Sequence, residues 1–208
     1  KSLYIFAPSA FPIENKKSYC RDFCVFFPSY NRGFSNNFSL QLGAFVVPGM
    51  SFDDVPVVLS GKFSFPEYKS KKFFNASFAS GLMYVRLPEF EEDSFGFGIA
   101  FGTMTLGDKF NHLSTSICFG YSTTGADWEF QEKPIYNLSG NFRFSNSIAF
   151  VGESWIFPEG DLDDQLFALS LRFIGRKFAV DLGGLMTLSM LDESVIPIPI
   201  INFTYHTD

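Results

Sequence analysis

The sequence is poor in charged residues and contains no long apolar run. Charged side chains make up 18% of its 208 residues, against about 25% in typical soluble domains. No apolar segment approaches the roughly 18 consecutive residues that a transmembrane helix needs. The net charge of −6 gives no basic footprint for nucleic acid. These shortages exclude helical membrane insertion and nucleic-acid binding, whereas insertion as a β-barrel stays possible.

Cysteine and histidine are also scarce. Cys20 and Cys24 fall in one expected strand, where a spacing of about 3.3 Å per residue separates them by roughly 13 Å. That distance is too long for a disulfide. Neither His112 nor His206 lies near a cysteine in the sequence. We therefore expect the cysteines to be small wall residues, and we expect no metal site and no cofactor.

Phenylalanine, in contrast, is abundant, with 29 copies, and large residues alternate with small ones along most of the chain. Residues 95–102, FGFGIAFG, are the clearest case. Such a period of two is typical of β-strands, and no convincing period of 3.6 appears. The pattern predicts one all-β domain over residues 1–208 with twelve strands. They are expected at 2–7, 19–30, 37–47, 55–65, 72–86, 94–105, 112–122, 134–144, 147–157, 165–174, 177–188 and 196–206.

The connections between these strands alternate between short turns and longer loops. That alternation is typical of an up-and-down antiparallel barrel, and an even strand count puts both termini on the short-turn side. The longer loops, in which we include Glu14, Lys16 and Lys17, hold 16 acids and three bases, whereas the short-turn side is basic. In outer-membrane barrels the short turns are periplasmic and the longer loops extracellular. We expect the acidic loops outside and both termini in the periplasm.

The faces of the strands decide between two kinds of barrel. The side opposite the apolar residues carries Gly, Ser, Ala and Asn, whereas a water-facing surface should be rich in Lys and Glu. A transmembrane β-barrel with its apolar face in lipid and its small polar face in the lumen fits this pattern. In residues 95–102 the phenylalanines should then face lipid and the glycines the lumen. The alternative is a soluble, lipocalin-like ligand-binding barrel.

The strand and turn pattern resembles an uncharacterised family of outer-membrane β-barrels found in Bacteroidota and related bacteria. The stretches that carry the resemblance are DFCVFFPSYNRGFSNNFSLQLGAFVVPG, NLSGNFRFSNSIAFVGESWIFP, LRFIGRKFAVDLGGL and IPIPIINFTY. The resemblance implies an integral outer-membrane protein. It implies no reaction.

Several charged residues have the strand parity of the lumen face. A charge inside a barrel needs a partner or water. One interpretation is therefore a salt-bridge network that stabilises the barrel, and the alternative is a selectivity constriction in a channel. Arg172 and Asp181 should meet across a hairpin. The predicted lumen charge network comprises Lys62, Arg143, Glu153, Arg172 and Asp181.

One long loop, PEGDLDDQ, is densely acidic. Its carboxylates could hold Ca²⁺, although the spacing of an EF-hand is missing. A solvated loop, bridged through divalent ions to lipopolysaccharide, is the alternative. The candidate ligands are Glu159, Asp161, Asp163 and Asp164.

No arrangement of nucleophile, base and acid stands out. His112 and His206 are the ordinary bases, and both fall at the short-turn end of the expected barrel. We therefore expect that the protein is not an enzyme.

Modest loops and the absence of an evident plug leave two candidate functions. One is a non-enzymatic accessory subunit of a larger outer-membrane assembly, in contact with lipid, lipopolysaccharide and other outer-membrane or periplasmic proteins. The other is a narrow diffusion channel with a lumen lined by Gly and Ser.

Overall fold

A computed structural model describes residues 3–69, 75–88, 95–125, 127–158, 160, 161, 163, 165–192 and 195–207. Fourteen strands dominate, with one short α-helix, α1 (Leu188–Asp192), and a 3₁₀ turn at Phe52–Asp54. The strands are β1 (Ser18–Phe23), β2 (Phe27–Gly33), β3 (Phe38–Ala44), β4 (Val57–Ser64), β5 (Tyr68–Lys69), β6 (Asn75–Arg86), β7 (Phe95–Gly107), β8 (His112–Thr124), β9 (Asp127–Phe130), β10 (Ile135–Arg143), β11 (Ile148–Ile156), β12 (Leu166–Ile174), β13 (Phe178–Thr187) and β14 (Ile198–His206).

Twelve of these strands close into a barrel. Each pairs antiparallel with its neighbours in sequence, and β1 pairs with β14 to close the ring, with Cys20 opposite Tyr205. The short strands β5 and β9 lie outside this ring and extend β6 and β8, so β8 pairs directly with β10. The predicted twelve-stranded up-and-down barrel is therefore confirmed. None of the helices in the described part of the chain is long and apolar enough to cross a membrane.

Most strands carry apolar residues on the outer face of the barrel, and many of the residues on the lumen face are polar. On β10, Leu138 is 48% exposed, whereas the neighbouring Ser139 is 1% exposed. Successive residues of a strand point to opposite faces, and the same contrast recurs around the ring. Outward residues that remain exposed include Leu42, Leu59, Phe63, Leu82, Leu113, Ile117, Leu138, Phe150, Leu169, Leu171, Phe173, Leu182 and Phe203. Buried inward residues include Ser39, Ser77, Thr103, Ser114, Ser116, Asn137, Ser139, Ser170 and Asn202.

The first predicted strand, at residues 2–7, is wrong. Among the described residues, 3–13 lie inside the barrel, where Tyr4 and Ile5 are each 1% exposed; we call residues 3–13 the N-terminal plug. A strand in the wall would satisfy its backbone groups through neighbouring strands. The plug satisfies them mainly through side chains of the lumen, so the expectation of no evident plug is wrong as well.

The segment that follows the plug lies at the short-turn end, not at the end with the long loops. Lys16 N–H donates to the Gly33 carbonyl at 3.0 Å, and Glu14 pairs with Lys109 of the β7–β8 turn at 3.4 Å. A Cβ on Gly33 would lie 2.5 Å from the Ile13 carbonyl oxygen. Glycine at this position therefore lets the chain pass close to β2 as it leaves the lumen.

The second predicted strand, 19–30, is in fact the β1–β2 hairpin. Its turn uses Cys24 at φ 53° and Val25 at φ 69°, a left-handed conformation that β-branched residues rarely adopt. No glycine, proline or asparagine marks this turn in the sequence. The predicted total of twelve strands was nevertheless right. The predicted strand at 2–7 is not in the wall, but the predicted strand at 19–30 supplies two strands, β1 and β2.

Strand β7 faces the opposite way from the prediction. Phe101 is 7% exposed and points into the lumen with Thr103 and Thr105, while Gly102 faces outward. On the outside, the Tyr121 ring covers Gly98 so closely that a Cβ there would lie 2.6 Å from the ring. Tyrosines of the neighbouring strands thus supply the outer apolar surface that β7 itself lacks.

Candidate functional site

The lumen is filled by the N-terminal plug, which forms a tight turn. Tyr4 N–H donates to the Ala7 carbonyl at 2.9 Å, and Leu3 and Pro8 form an isolated antiparallel bridge. This turn aims the N–H groups of Ile5, Phe6 and Ala7 towards one side of the barrel. The carbonyl groups of the turn point in other directions. The N–H groups therefore need acceptors, whereas the carbonyl groups need donors.

Glu153 of β11 is the partner of the N–H groups. Its Oε2 accepts from Ile5 at 3.0 Å and from Phe6 at 2.9 Å, and both oxygens accept from Ala7 at 3.1 Å. Trp155 Nε1 donates to Oε1 at 2.5 Å. Glu153 is 3% exposed. A buried carboxylate is costly without such donors, so the plug and Glu153 stabilise each other.

Three cations are the partners of the plug carbonyls. Arg21 Nη2 donates to the oxygens of Tyr4 at 3.1 Å and Ile5 at 2.7 Å. Arg172 Nη2 donates to the same Tyr4 oxygen at 3.0 Å. Lys62 Nζ donates to carbonyl oxygens further along the plug, those of Ser9 at 2.8 Å and Phe11 at 2.9 Å.

Arg172 and Asp181 form a bidentate ion pair beneath the plug. Arg172 Nε lies 2.6 Å from Oδ1 and Nη2 lies 2.8 Å from Oδ2, because the two residues are directly opposite in the β12–β13 hairpin. Arg21 adds a longer contact, 3.9 Å from Oδ2. The pair spans two strands and also holds the plug through the Arg172–Tyr4 bond.

A row of hydroxyl groups fixes the plug to the opposite wall. The Tyr4 hydroxyl and Ser114 Oγ are 2.6 Å apart, Ser114 and Thr105 Oγ1 are 2.6 Å apart, and Ala10 N–H donates to Thr105 at 2.8 Å. His112 packs against Tyr4, with ring centroids 5.3 Å apart.

The structure brings four of the five predicted network residues together around the plug: Lys62, Glu153, Arg172 and Asp181. Arg143 is not among them. It has the expected parity, but it ends β10 at the short-turn rim, where its guanidinium donates to the carbonyls of Ser145 and Asn146.

Sequence reasoning missed Arg21 as a member of this cluster. Its inward parity was visible, since it alternates with Cys20 and Asp22 along β1. However, the β1–β2 turn was not recognised, and the plug to which Arg21 binds was expected in the wall. The partners of Lys62, Glu153 and Arg21 are mainly backbone groups, which carry no signal in residue types.

The acidic loop is described only in part. Glu159 and Asp164 lie outside the described residues. Asp161 accepts a bond from Gln165 Nε2 at its backbone carbonyl, at 2.7 Å. No group of three or more His, Cys, Asp or Glu side chains that could hold a metal ion occurs in the described part of the chain. The Ca²⁺ site stays a prediction from sequence.

Comparison of the chain with protein-family models and with curated protein sequences gives no match. The resemblance to a family of outer-membrane barrels therefore stays a prediction, and function is argued from geometry alone.

Proposed function

We propose that the protein is an integral outer-membrane β-barrel with a lumen closed by its own N-terminus, and that it acts as a non-enzymatic accessory subunit of a larger outer-membrane assembly. The observation that carries the proposal is the apolar outer wall. Side chains such as Leu59, Leu138 and Leu171 are each more than 40% exposed at mid-strand, on a closed barrel. An exposed apolar surface of this extent marks contact with lipid or protein.

The distribution of polar groups argues against a soluble, lipocalin-like barrel. Such a barrel would keep its charged side chains in water. Here Arg21, Lys62, Glu153 and Asp181 are all buried in the lumen. The twelve strands of the ring each pair on both sides, and hydrocarbon requires such pairing.

The two ends of the barrel differ in charge, which supports an oriented position in the membrane. Among the described residues, the long connections carry Asp53, Asp54, Asp127, Glu129, Glu132, Asp161 and Asp163, with Lys133 as the base. The short-turn end carries Lys16, Lys17, Arg32, Lys109, Arg176 and Lys177, with the acids Glu14, Glu67 and Asp108. By analogy with outer-membrane barrels, we place the acidic end outside and the basic end, with both termini of the barrel, in the periplasm.

The plug favours an accessory subunit over an open diffusion channel. The plug backbone is bound by Glu153, Arg21, Arg172 and Lys62, so opening a path would break several charge-assisted hydrogen bonds at once. Each of these is worth about 1.5–3 kcal/mol. The outer wall, in contrast, is available for lateral contacts with other membrane proteins.

Planar-bilayer recording tests the closed lumen. We expect the chain of residues 1–208 to show no steady conductance, and a variant lacking residues 1–13 to show ion-conducting openings. Steady, ion-selective openings of the chain with residues 1–13 present would overturn the accessory role. Mild detergent extraction from native membranes should give a complex larger than the free barrel, and extraction of the monomer alone would count against the proposal.

A further inference from the structure

An apolar cavity of about 450 Å³ lies between the plug and the barrel wall. Its volume falls within the range of roughly 300–1,000 Å³ that is typical of small-molecule sites. The plug contributes residues that include Ile5 and Phe6, and most of the others lie on strands β1–β4, β6, β7 and β11. Apolar lining residues at the long-loop end include Phe23, Phe27, Phe45, Val85, Ile99 and Trp155.

The cavity changes in character along the barrel axis. Its upper part, towards the long loops, is formed by aromatic and aliphatic side chains, whereas its deeper part reaches Arg21, Lys62, Ser39 and Asn31. An apolar chamber that ends on cations matches a molecule with an apolar chain and a negatively charged head.

Arg21 has an unused donor at this deeper part. Its side chain is 7% exposed, and Nε has no hydrogen-bond partner among the described residues. Its Nη2, in contrast, is occupied by the carbonyls of Tyr4 and Ile5. A buried N–H of a guanidinium without an acceptor is costly, which favours a ligand that brings an oxygen to Arg21.

The charge of the lumen also favours an anion. Three cations, Arg21, Lys62 and Arg172, face two carboxylates, Glu153 and Asp181, in the described lumen. Arg21 and Lys62 are the charged side chains that line the cavity in the described part of the chain, and both are cations. A ligand with a carboxylate suits this lining.

The upper end of the lumen is open enough for a ligand to enter. Phe97 pairs directly with the cavity-lining Val85 on β6, so both side chains point inward. Phe97 is nevertheless 43% exposed. This inward face is therefore reachable from the end with the long loops.

We propose that this cavity binds a single-chain anionic amphiphile, a long-chain carboxylate, with its acyl chain among the aromatic residues and its head at Arg21. Two acyl chains would not fit a cavity of about 450 Å³ as readily as one, which separates this ligand from membrane phospholipids.

Trp155 gives a direct readout of binding, because it lines the cavity. The sequence has two tryptophans, and Trp128 stacks on Tyr121 at the outer wall, so Trp128→Phe leaves Trp155 as the single fluorophore. This variant, in lipid nanodiscs, is titrated with a long-chain fatty acid brominated in its chain. We expect saturable quenching of Trp155. Quenching without saturation, or equal quenching by a phospholipid brominated in its acyl chains, would overturn the proposal.

Filling the cavity provides a matched pair of variants. Ser60 of β4 lines the cavity, whereas the adjacent Leu59 is outward and 51% exposed. In the Trp128→Phe background, Ser60→Phe should weaken binding at least about tenfold, and Leu59→Phe should leave it unchanged. Equal binding by both variants would place the ligand elsewhere.

The head-group assignment has its own test. A long-chain alcohol with the same brominated chain lacks the carboxylate, and we expect it to bind about tenfold or more weakly, since it loses the charge-assisted hydrogen bond to Arg21. Equal affinities of acid and alcohol would overturn the role of Arg21. Because binding is measured without conductance or partners, failure here leaves the proposed accessory function to be judged by its own experiments.

Discussion

Both carboxylate oxygens of Glu153 lie 3.1 Å from the backbone nitrogen of Ala7. The two residues are separated by 146 positions in the sequence, and the contact joins the N-terminal plug to β11. It shows how an N-terminal segment is held inside the lumen without entering a sheet. A buried anion that accepts several backbone N–H groups fixes the turn, and cations around it hold the carbonyls.

Replacing Glu153 by Gln should loosen the plug. The amide keeps the size of the side chain, but it offers one acceptor oxygen and presents an NH₂ group to backbone donors. We expect the free energy of local opening to fall by about 2 kcal/mol or more, which is roughly a 30-fold rise in the open population. Hydrogen exchange of the amides of Ile5, Phe6 and Ala7 measures this change.

The matched control for Glu153→Gln is Asp163→Asn. It removes one negative charge from the exposed acidic loop and leaves the plug untouched. Exchange of the same three amides should be unaltered. If Glu153→Gln leaves exchange at wild-type rates as well, the carboxylate does not hold the plug.

The ion pair of Arg172 and Asp181 should show strong energetic coupling. Asp181→Leu leaves a buried guanidinium without its charge partner, and breaking a buried pair costs about 3–5 kcal/mol. Arg172→Met combined with Asp181→Leu removes both charges. We expect the double variant to be more stable than the sum of the single effects by about 1–3 kcal/mol. Urea unfolding in lipid vesicles gives these values, and additive effects would show that the pair is not coupled.

Much of the fold was predictable because the alternation of apolar and polar residues along a strand is a local property of the sequence. The parity of β10, β12 and β13 follows from Leu138, Leu171 and Leu182, whose exposure the sequence pattern reflects directly. The same rule failed for β7, since it assumed that each strand supplies its own outer apolar surface. Tyr121 crosses over Gly98 from the next strand instead, and a contact between strands is invisible in the sequence of either.

The site was predictable only where partners are side chains. Arg172 and Asp181 have complementary charges and a short turn between them, so a hairpin brings them together. The interaction of Glu153 with Ala7 gave no such signal, because a backbone N–H exists at nearly every position. The identification of residues 2–7 as a strand followed from apolar content alone, and apolar residues serve equally well inside a lumen.

Leu138 tests whether the outer wall faces lipid. An arginine at the bilayer midplane of a barrel costs about 2–4 kcal/mol, so Leu138→Arg should reduce folding into lipid vesicles by a corresponding amount. Asn146→Arg, in the exposed β10–β11 turn, is the control and should fold normally. On a soluble barrel an exposed Leu138→Arg would be nearly neutral, and that result would contradict the membrane position.

Labelling of cysteines tests the orientation. In a background where Cys20, Cys24 and Cys118 are replaced by Ser, Asp163→Cys should react with a membrane-impermeant maleimide on intact cells. Arg176→Cys, in the β12–β13 turn, should react only after the outer membrane is permeabilised. The reverse pattern would mean that the acidic end faces the periplasm.

The turn between β7 and β8 should depend on pH through Asp108. Its Oδ1 accepts from the N–H of Asn111 at 2.8 Å and of Phe110 at 2.7 Å, and these bonds lower the pKa of Asp108 below its ordinary value. The folded pKa is thus lower than the unfolded value of about 3.9. The carboxylate therefore contributes fully to the stability of the turn above the unfolded pKa, and this contribution is lost as the pH falls through the folded pKa.

We expect wild type to exceed Asp108→Ala in stability at neutral pH by less than about 1 kcal/mol, since the side chain is exposed. This difference should shrink in strong acid to the smaller value that a neutral acceptor gives. Asp108→Asn keeps a neutral acceptor, so its advantage over Asp108→Ala should stay constant over the same titration. A wild-type advantage that is equally constant would show that ionisation of Asp108 does not stabilise the turn.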